Sequence, residues 1–230
     1  MASASGAERH IRERNEIVNQ IFEKLRSHSV EKLELEARLC RLEDLRRDAH
    51  IANGHHDGGM CVVKSTVTAG VSEEHYCLIE DFCKMSKGVN VTRSESLDVI
   101  SRGGRYTYTV DKPSKCISCL KKRRIFVVDI FVPFAAYDIR ISASTETHGE
   151  LPNPSSPPVR GFGRRKDRTS VEDGSIRYDL TKVHQDGSMV YEVELECLLK
   201  SGAETKVTMS DLDNLLTKAL DVAVFPIKGC

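Results

Sequence analysis

At 230 residues, with 34 Lys+Arg against 34 Asp+Glu, the chain has the length of one ordinary domain, is densely charged and carries no net charge. That balance excludes a protein that holds nucleic acid by general phosphate neutralisation, and equally an acidic, solvated chain. No apolar run approaches the roughly 20 residues of a membrane helix. The start, Met-Ala-Ser-Ala-Ser-Gly-Ala-Glu, has neither the basic nor the apolar part of a secretory signal, so an intracellular chain with no membrane partner is expected.

Apolar Val18, Ile21, Phe22 and Leu25 share one face of a helix over about residues 7–28. Its face is expected to pack on the body of the domain, which divides the chain into an N-terminal amphipathic helix (1–29) and a main domain (30–230). From Val30 the period changes to two: Leu33, Leu35 and Ala37 alternate with Glu34, Glu36 and Arg38, a strand. Residues 48–60 read as a Gly/His-rich loop. Ser72, followed by two glutamates, caps a helix within 70–87 that carries Val71, Ile79 and Phe82. Strands follow at about 96–102, 104–110, 116–132 and 136–147, with Gly103-Gly104 as a turn. Four of the seven prolines lie between Pro152 and Pro158, which makes 149–163 a loop inserted in the strand series. Ser210 then caps a last helix with Leu212, Leu215, Leu216, Ala219 and Leu220. The fold class is α+β, dominated by strands, with flanking helices.

The eight cysteines are scattered, as thiols of a reducing compartment are. Cys116 and Cys119 form a CxxC. A zinc site would need further ligands, which His50, His55 and His56 alone could offer, and a chance CxxC is the commoner case.

The stretch 163–200 says most. Asp173-Gly174 and Asp186-Gly187 separate three alternating runs, a strong hairpin signal. The first run holds Arg164, Lys166 and Arg168, the second Arg177, Asp179 and Thr181, the third Glu192, Glu194 and Glu196. A two-residue loop at Asp173-Gly174 sets Arg168 opposite Asp179 and Lys166 opposite Thr181. The second loop sets Asp179 opposite Glu194, Thr181 opposite Glu192 and Arg177 opposite Glu196. Both turns thus put basic, mixed and acidic strands on one face, while Leu180, Tyr191, Val193 and Leu195 form the other.

Three glutamates stacked on one face are not an ordinary solvated surface, which intersperses signs. A closed barrel with a hydrophilic interior accommodates them and removes sheet edges. Glu34, Glu36 and Arg38 add another charged-in strand. Converging carboxylates call for a hard divalent cation, Mg²⁺ or Mn²⁺, and facing Arg and Lys call for phosphate, together the equipment of phosphoryl hydrolysis.

At these residues the sequence resembles the triphosphate tunnel metalloenzymes, specifically the metal-dependent RNA 5'-triphosphatases of fungal, protozoan and viral mRNA capping. The resemblance rests on Leu33-Glu34-Leu35-Glu36, Tyr137-Asp138-Ile139-Arg140-Ile141-Ser142 followed by Glu146, the RxKxR strand at Arg164, the RxDxT strand at Arg177 and the ExExE strand at Glu192, in that order over about 30–220. It implies an eight-stranded antiparallel β-barrel. It also implies metal ligation by Glu34, Glu36 and Glu196, and γ-phosphate contact by Arg105, Lys166 and Arg168, with a clamp lysine at Lys121 or Lys122. Glu146, Glu192 and Glu194 would hold water, and Arg164, Arg177, Asp179 and Thr181 would brace the walls.

The implied reaction removes the γ-phosphate from the 5'-triphosphate end of nascent mRNA, in the nucleus, and hydrolyses nucleoside triphosphates with manganese. The capping guanylyltransferase is an implied partner, although the Trp-containing segment that recruits it in fungal members has no counterpart in a chain without Trp. Oligomeric state stays open. The alternatives are a tripolyphosphatase or thiamine triphosphatase of the same fold, and a non-catalytic module that binds polyphosphate or RNA ends.

Overall fold

The computed structural model describes residues 4–28, 33–43, 59–111, 115–153, 155, 157–199 and 207–225. In chain order the elements are α1 (Ala4–Arg26), β1 (Leu33–Leu42), β2 (Cys61–Val63), β3 (Val67–Ala69), α2 (Glu73–Met85) and β4 (Asn90–Ser101). Then come β5 (Gly104–Tyr108), β6 (Cys116–Phe131), β7 (Asp138–His148), β8 (Phe162–Asp173), β9 (Ile176–Gln185), β10 (Ser188–Cys197) and α3 (Met209–Ala223). No helix is long and apolar enough to cross a membrane among the described residues.

Eight strands close on themselves in the order β1-β7-β6-β5-β4-β8-β9-β10, and the ring is completed by Glu36, Ala37 and Arg38 of β1 pairing with Glu196, Leu195 and Glu194 of β10. All pairs are antiparallel. The short β2 and β3 lie off the ring, against β6 and the end of β1. Closure gives every barrel strand a partner on both sides, although residues 90–96 of β4 pair with β8 alone.

The hydrophobic core lies outside this barrel. Leu35, Ala37, Leu39, Ile139, Ile141, Leu180, Val193 and Leu195 point outward and are fully buried. They are covered by Ile17, Val18, Ile21 and Leu25 of α1, Tyr76 and Ile79 of α2, and Leu212, Leu215, Leu216 and Ala219 of α3. The spacing that predicts α1 therefore marks a face that packs on the body of the domain. Ser72 caps α2 as expected, its side chain accepting from His75 N at 3.2 Å. The cap of α3 is Thr208 and not Ser210: Thr208 and Asp211 form a reciprocal capping box, which satisfies two helix-end donors at once.

Other details depart from expectation. β4 begins at Asn90, six residues before the predicted 96, because its polar start alternates weakly. β2 and β3 fall where no strand is predicted, and most of the loop 48–60 lies outside the described residues. The second hairpin pairs as expected, with Asp179 opposite Glu194, Thr181 opposite Glu192 and Arg177 opposite Glu196. The first does not. Its loop is Gly174-Ser175, so Arg168 faces Thr181 and Lys166 faces Val183. The error is two residues, and a slip of two leaves every side chain on its own face. On β6 a bulge between Arg124 and Phe126 settles the parity left open by the basic run: Lys122 pairs with inward Glu146.

If the helices hold the wall from outside, Leu216→Ala, which empties a fully buried site, should lower the unfolding free energy by about 3 kcal/mol in urea titration. A loss under roughly 1 kcal/mol would mean that α3 does not carry the core.

Candidate active site

The barrel encloses a cavity of about 590 Å³. Seven acidic residues line it, Glu34, Glu36, Glu146, Asp179, Glu192, Glu194 and Glu196, and seven basic ones, Arg38, Arg105, Lys122, Arg164, Lys166, Arg168 and Arg177. All site residues expected from sequence are therefore brought together. They converge because each strand offers every second residue to the interior, and the registers stack the offers at similar depth.

One wall is acidic. Lys122 Nζ bridges Glu34 Oε2 at 2.9 Å and Glu36 Oε2 at 3.0 Å. Ser142 Oγ donates to Glu36 at 2.8 Å and Ser144 Oγ to Glu34 at 3.3 Å. Glu196 pairs with Arg177. A single lysine and a single arginine do not neutralise this group. Burial pushes Glu34 above its ordinary range, and Glu146 and Glu36 add to it against the pull of Lys122. Glu196 is pushed up to about 7: burial is the largest cause, Arg177 opposes it, and Glu34, Asp179 and Glu36 reinforce it.

The facing wall is basic and internally braced. Lys166 Nζ lies 2.6 Å from Asp98, which also accepts from Thr107 at 2.8 Å. Burial, with help from Arg168 and Arg105, depresses the Lys166 pKa despite Asp98. Asp98 is itself held below its usual range by Lys166 in spite of burial, so the pair is ionic. Arg168 donates to Thr181 at 2.9 Å, Asp179 at 3.1 Å and Glu194 at 3.4 Å. Asp179 also accepts from Ser170 at 2.6 Å and Arg177 at 3.2 Å.

Between the walls, Arg105 meets Glu146 at 3.1 Å and Arg164 meets Glu192 at 2.7 Å. Arg164 Nε is buried with no hydrogen-bond partner, a donor for an incoming oxygen. Glu194 pairs with Arg38. Burial works against its charge, but Arg38, Arg168 and Lys166 outweigh burial and hold it below the usual carboxylate range.

The bracing groups Asp98, Thr107, Ser142 and Ser144 are absent from the sequence-derived site. Asp98 was discoverable from its place two residues from Ser96 on a strand. Ser142 ends the motif that begins at Tyr137 but was given no role, and Ser144 carried no signal beyond alternation.

Among the described residues no three His, Cys, Asp or Glu side chains stand at ligating distance from one point. Lys122 and Arg177 draw the carboxylates of the acidic wall aside. The donor chemistry nevertheless fits a hard divalent cation: three oxygen-bearing side chains, two of them raised in pKa by burial first and by neighbouring carboxylates second. Cys116 and Cys119 on β6 pair with Tyr108 and Tyr106, so the bulge here leaves both thiols on one face, and His50, His55 and His56 lie outside the described residues.

The family described as "mRNA capping enzyme, beta chain" matches residues 100–215. The mRNA-capping enzyme subunit beta of Cryptococcus neoformans is 32% identical over 123 residues, 49% of this chain and 30% of that protein. That of Schizosaccharomyces pombe is 34% identical over 88 residues, 36% of this chain and 28% of that protein. The matched stretch thus spans under a third of these relatives. The S. pombe Pct1 RNA triphosphatase, solved in complex with the Spt5 CTD, superposes with a TM-score of 0.64 at 21% identity, covering 93% of this chain and 87% of that one. The RNA triphosphatase domain of a trifunctional mimivirus mRNA capping enzyme superposes with a TM-score of 0.51 at 16% identity, covering 90% and 95%. Both share the fold.

The acidic wall has a measurable consequence in metal-free protein. Below about pH 4.5 folded and unfolded chains both carry the Glu196 proton, while between about 4.5 and 7 only the folded chain does. Stability from this group therefore falls as pH rises through that window, and Glu34 acts in the same direction. Glu194 has the opposite sign, adding stability above the ordinary carboxylate range that is lost as pH falls. Between about pH 5 and 7.5 the wild type should lose roughly 2 kcal/mol relative to Glu196→Gln in urea titrations, the linkage reduced because a quarter of the side chain is exposed. Parallel pH profiles for the two proteins would contradict this electrostatic picture.

Proposed function

This chain belongs to the mRNA capping enzyme beta chain family, and we propose on that premise that it hydrolyses the γ-phosphate of triphosphate-ended RNA. Water is consumed, and a diphosphate-ended RNA and inorganic phosphate leave. The observation that carries the reading is the single cavity in which a basic wall faces an acidic one, with the buried Arg164 Nε unpartnered.

The triphosphate is taken to lie between the walls. Lys166, Arg168 and Arg105 would donate to γ-phosphoryl oxygens, and Lys122 would turn from its glutamates to the phosphate chain. Burial opposes the charge of Lys166 while Asp98 supports it, so an arriving phosphate oxygen would gain a desolvated, charge-assisted hydrogen bond from it. Arg164 would add its free Nε. Arg177 and Asp179 would keep the wall rigid, since Asp179 holds both Arg168 and Arg177. Preorganisation of this kind removes the reorganisation cost at the moment of reaction.

Glu146, Glu192 and Glu194 would orient the attacking water. Glu194 stays ionised well below neutrality, so it accepts a hydrogen bond and fixes the water's direction without needing to take its proton. A loose phosphoryl-transfer transition state requires little more than in-line placement and charge stabilisation. Glu34, Glu36 and Glu196 would hold a divalent cation, Mg²⁺ or Mn²⁺, which when bound neutralises phosphoryl oxygens.

The proposed partners are the RNA 5' end and, from the naming of the family as a beta chain, the capping guanylyltransferase; work on nascent transcripts would place the protein in the nucleus. A second reading, tripolyphosphate or nucleoside triphosphate as substrate, has one observation in its favour: the basic residues of the cavity suit phosphate, and none of its charged residues is placed to read a base.

The deciding assay is release of labelled γ-phosphate from triphosphate-ended RNA in the presence of Mg²⁺. Glu194→Gln and Glu196→Gln should each lower kcat about 100-fold or more. Arg165→Ala, on the same basic strand but facing outward to Glu95, should leave the rate unchanged. Full activity in both glutamine variants would overturn the assignment.

A further inference from the structure

The cavity's uncharged lining is gathered at one end. His148 lies two residues past Glu146 on β7, and Leu120 is its cross-strand partner on β6. Leu198 follows Glu196 two residues on, and Leu33 and Leu199 complete this edge. His148 is exposed and the four leucines are half-buried. The charged part of the tunnel thus gives way to a collar of leucine and imidazole where β7 and β10 end and β1 begins.

The opposite end differs. There Arg140 donates to Asp129 at 2.7 and 3.0 Å, and Asp138 accepts from the backbone of Leu42 and Val132. Asp129 and Asp138 are buried. That end is occupied by the protein's own polar pairs, which leaves the collared mouth as the way out for whatever follows the phosphates.

The collar is also held in place. Gly149 N donates to Cys119 O at 2.8 Å, pinning the end of β7 to β6 beside His148. A Cβ on Gly149 would come within 2.7 Å of Cys119 Sγ, so any other residue there would have to displace that thiol.

Resting on the triphosphatase reading, we propose that this collar is the nucleoside subsite: the first nucleobase of the substrate stacks on the His148 imidazole, with Leu120 and Leu198 packing against base and ribose. Imidazole offers a flat π-face, and stacking on such a face tolerates any base. An apolar ledge beside a phosphate-binding cavity suits the uncharged part of a nucleotide and offers nothing to inorganic polyphosphate. Specificity for nucleotides over tripolyphosphate then comes from the mouth, and γ-phosphate chemistry from the walls.

The test compares KM for triphosphate-ended RNA, ATP and tripolyphosphate in wild type, His148→Ala and His148→Phe. In His148→Ala the ratio of KM for ATP or RNA to KM for tripolyphosphate should rise about tenfold, the scale of one lost base stack. His148→Phe, which keeps a stacking face, should restore the ratio. An unchanged ratio, or a ratio left high by phenylalanine, overturns the subsite. A wild type that turns over none of the three substrates would instead refute the triphosphatase reading, and binding of ATP against tripolyphosphate to the same proteins then decides the collar separately.

Discussion

Charge placed on the inside of a closed sheet must be compensated there, and this is the constraint on which the molecule is built. Most inward residues on the central levels of the barrel are ionic or hydrogen-bonded to an ionic neighbour, with Val183 opposite Lys166 an apolar exception. Burying such groups singly would be prohibitive, and even pairs repay their desolvation only with good geometry and additional hydrogen bonds. Serines, threonines and Asp98 supply those additional bonds. The equality of seven acids and seven bases in the cavity repeats, on a small scale, the equality of 34 and 34 in the whole chain.

Compensation is not uniform, and the unevenness is what gives the cavity its chemistry. Glu194 and Glu196 sit two residues apart on β10, yet their proton affinities move in opposite directions. Glu194 looks toward Arg38 and Arg168, and Glu196 toward Glu34 and Glu36 across from a single arginine. One carboxylate is thereby committed to its charge and the other awaits a cation. Lys166, on the facing wall, is the mirror case: a cation weakened by burial and by its own basic neighbours, ready for an anion.

Much of this was legible in the sequence because strand parity is digital. Whether Arg168 faces Asp179 or Thr181 depends on where a turn begins, but that Arg164, Lys166 and Arg168 share a face does not. The charged residues of β1, β8, β9 and β10 could be set on one face for that reason, whereas Arg105, Glu146 and Lys122 came from the resemblance alone. What was not legible had weak or nonlocal signals. Asn90 to Glu95 holds one apolar residue, Val91, too few to show an alternation, so the start of β4 left no trace. Thr208 was passed over for Ser210 because both are good caps, and only the partner Asp211 distinguishes them. Lys122 could not be told from Lys121 without the bulge after Arg124. The nature of the collar depends on three strand ends meeting, which no local pattern encodes.

Because the core lies on the outer face of the same strands whose inner face carries the charges, the two faces cannot be altered independently. Inserting one residue in β9 would drive Asp179 into the helices and Leu180 into the tunnel, losing core and cavity together. Two residues would preserve both. Strand length here is effectively quantised in pairs. Where the barrel must absorb an odd residue it does so at a bulge, between Thr107 and Tyr108 and between Arg124 and Phe126. Those two irregularities are the joints that allow the other strands to keep strict step.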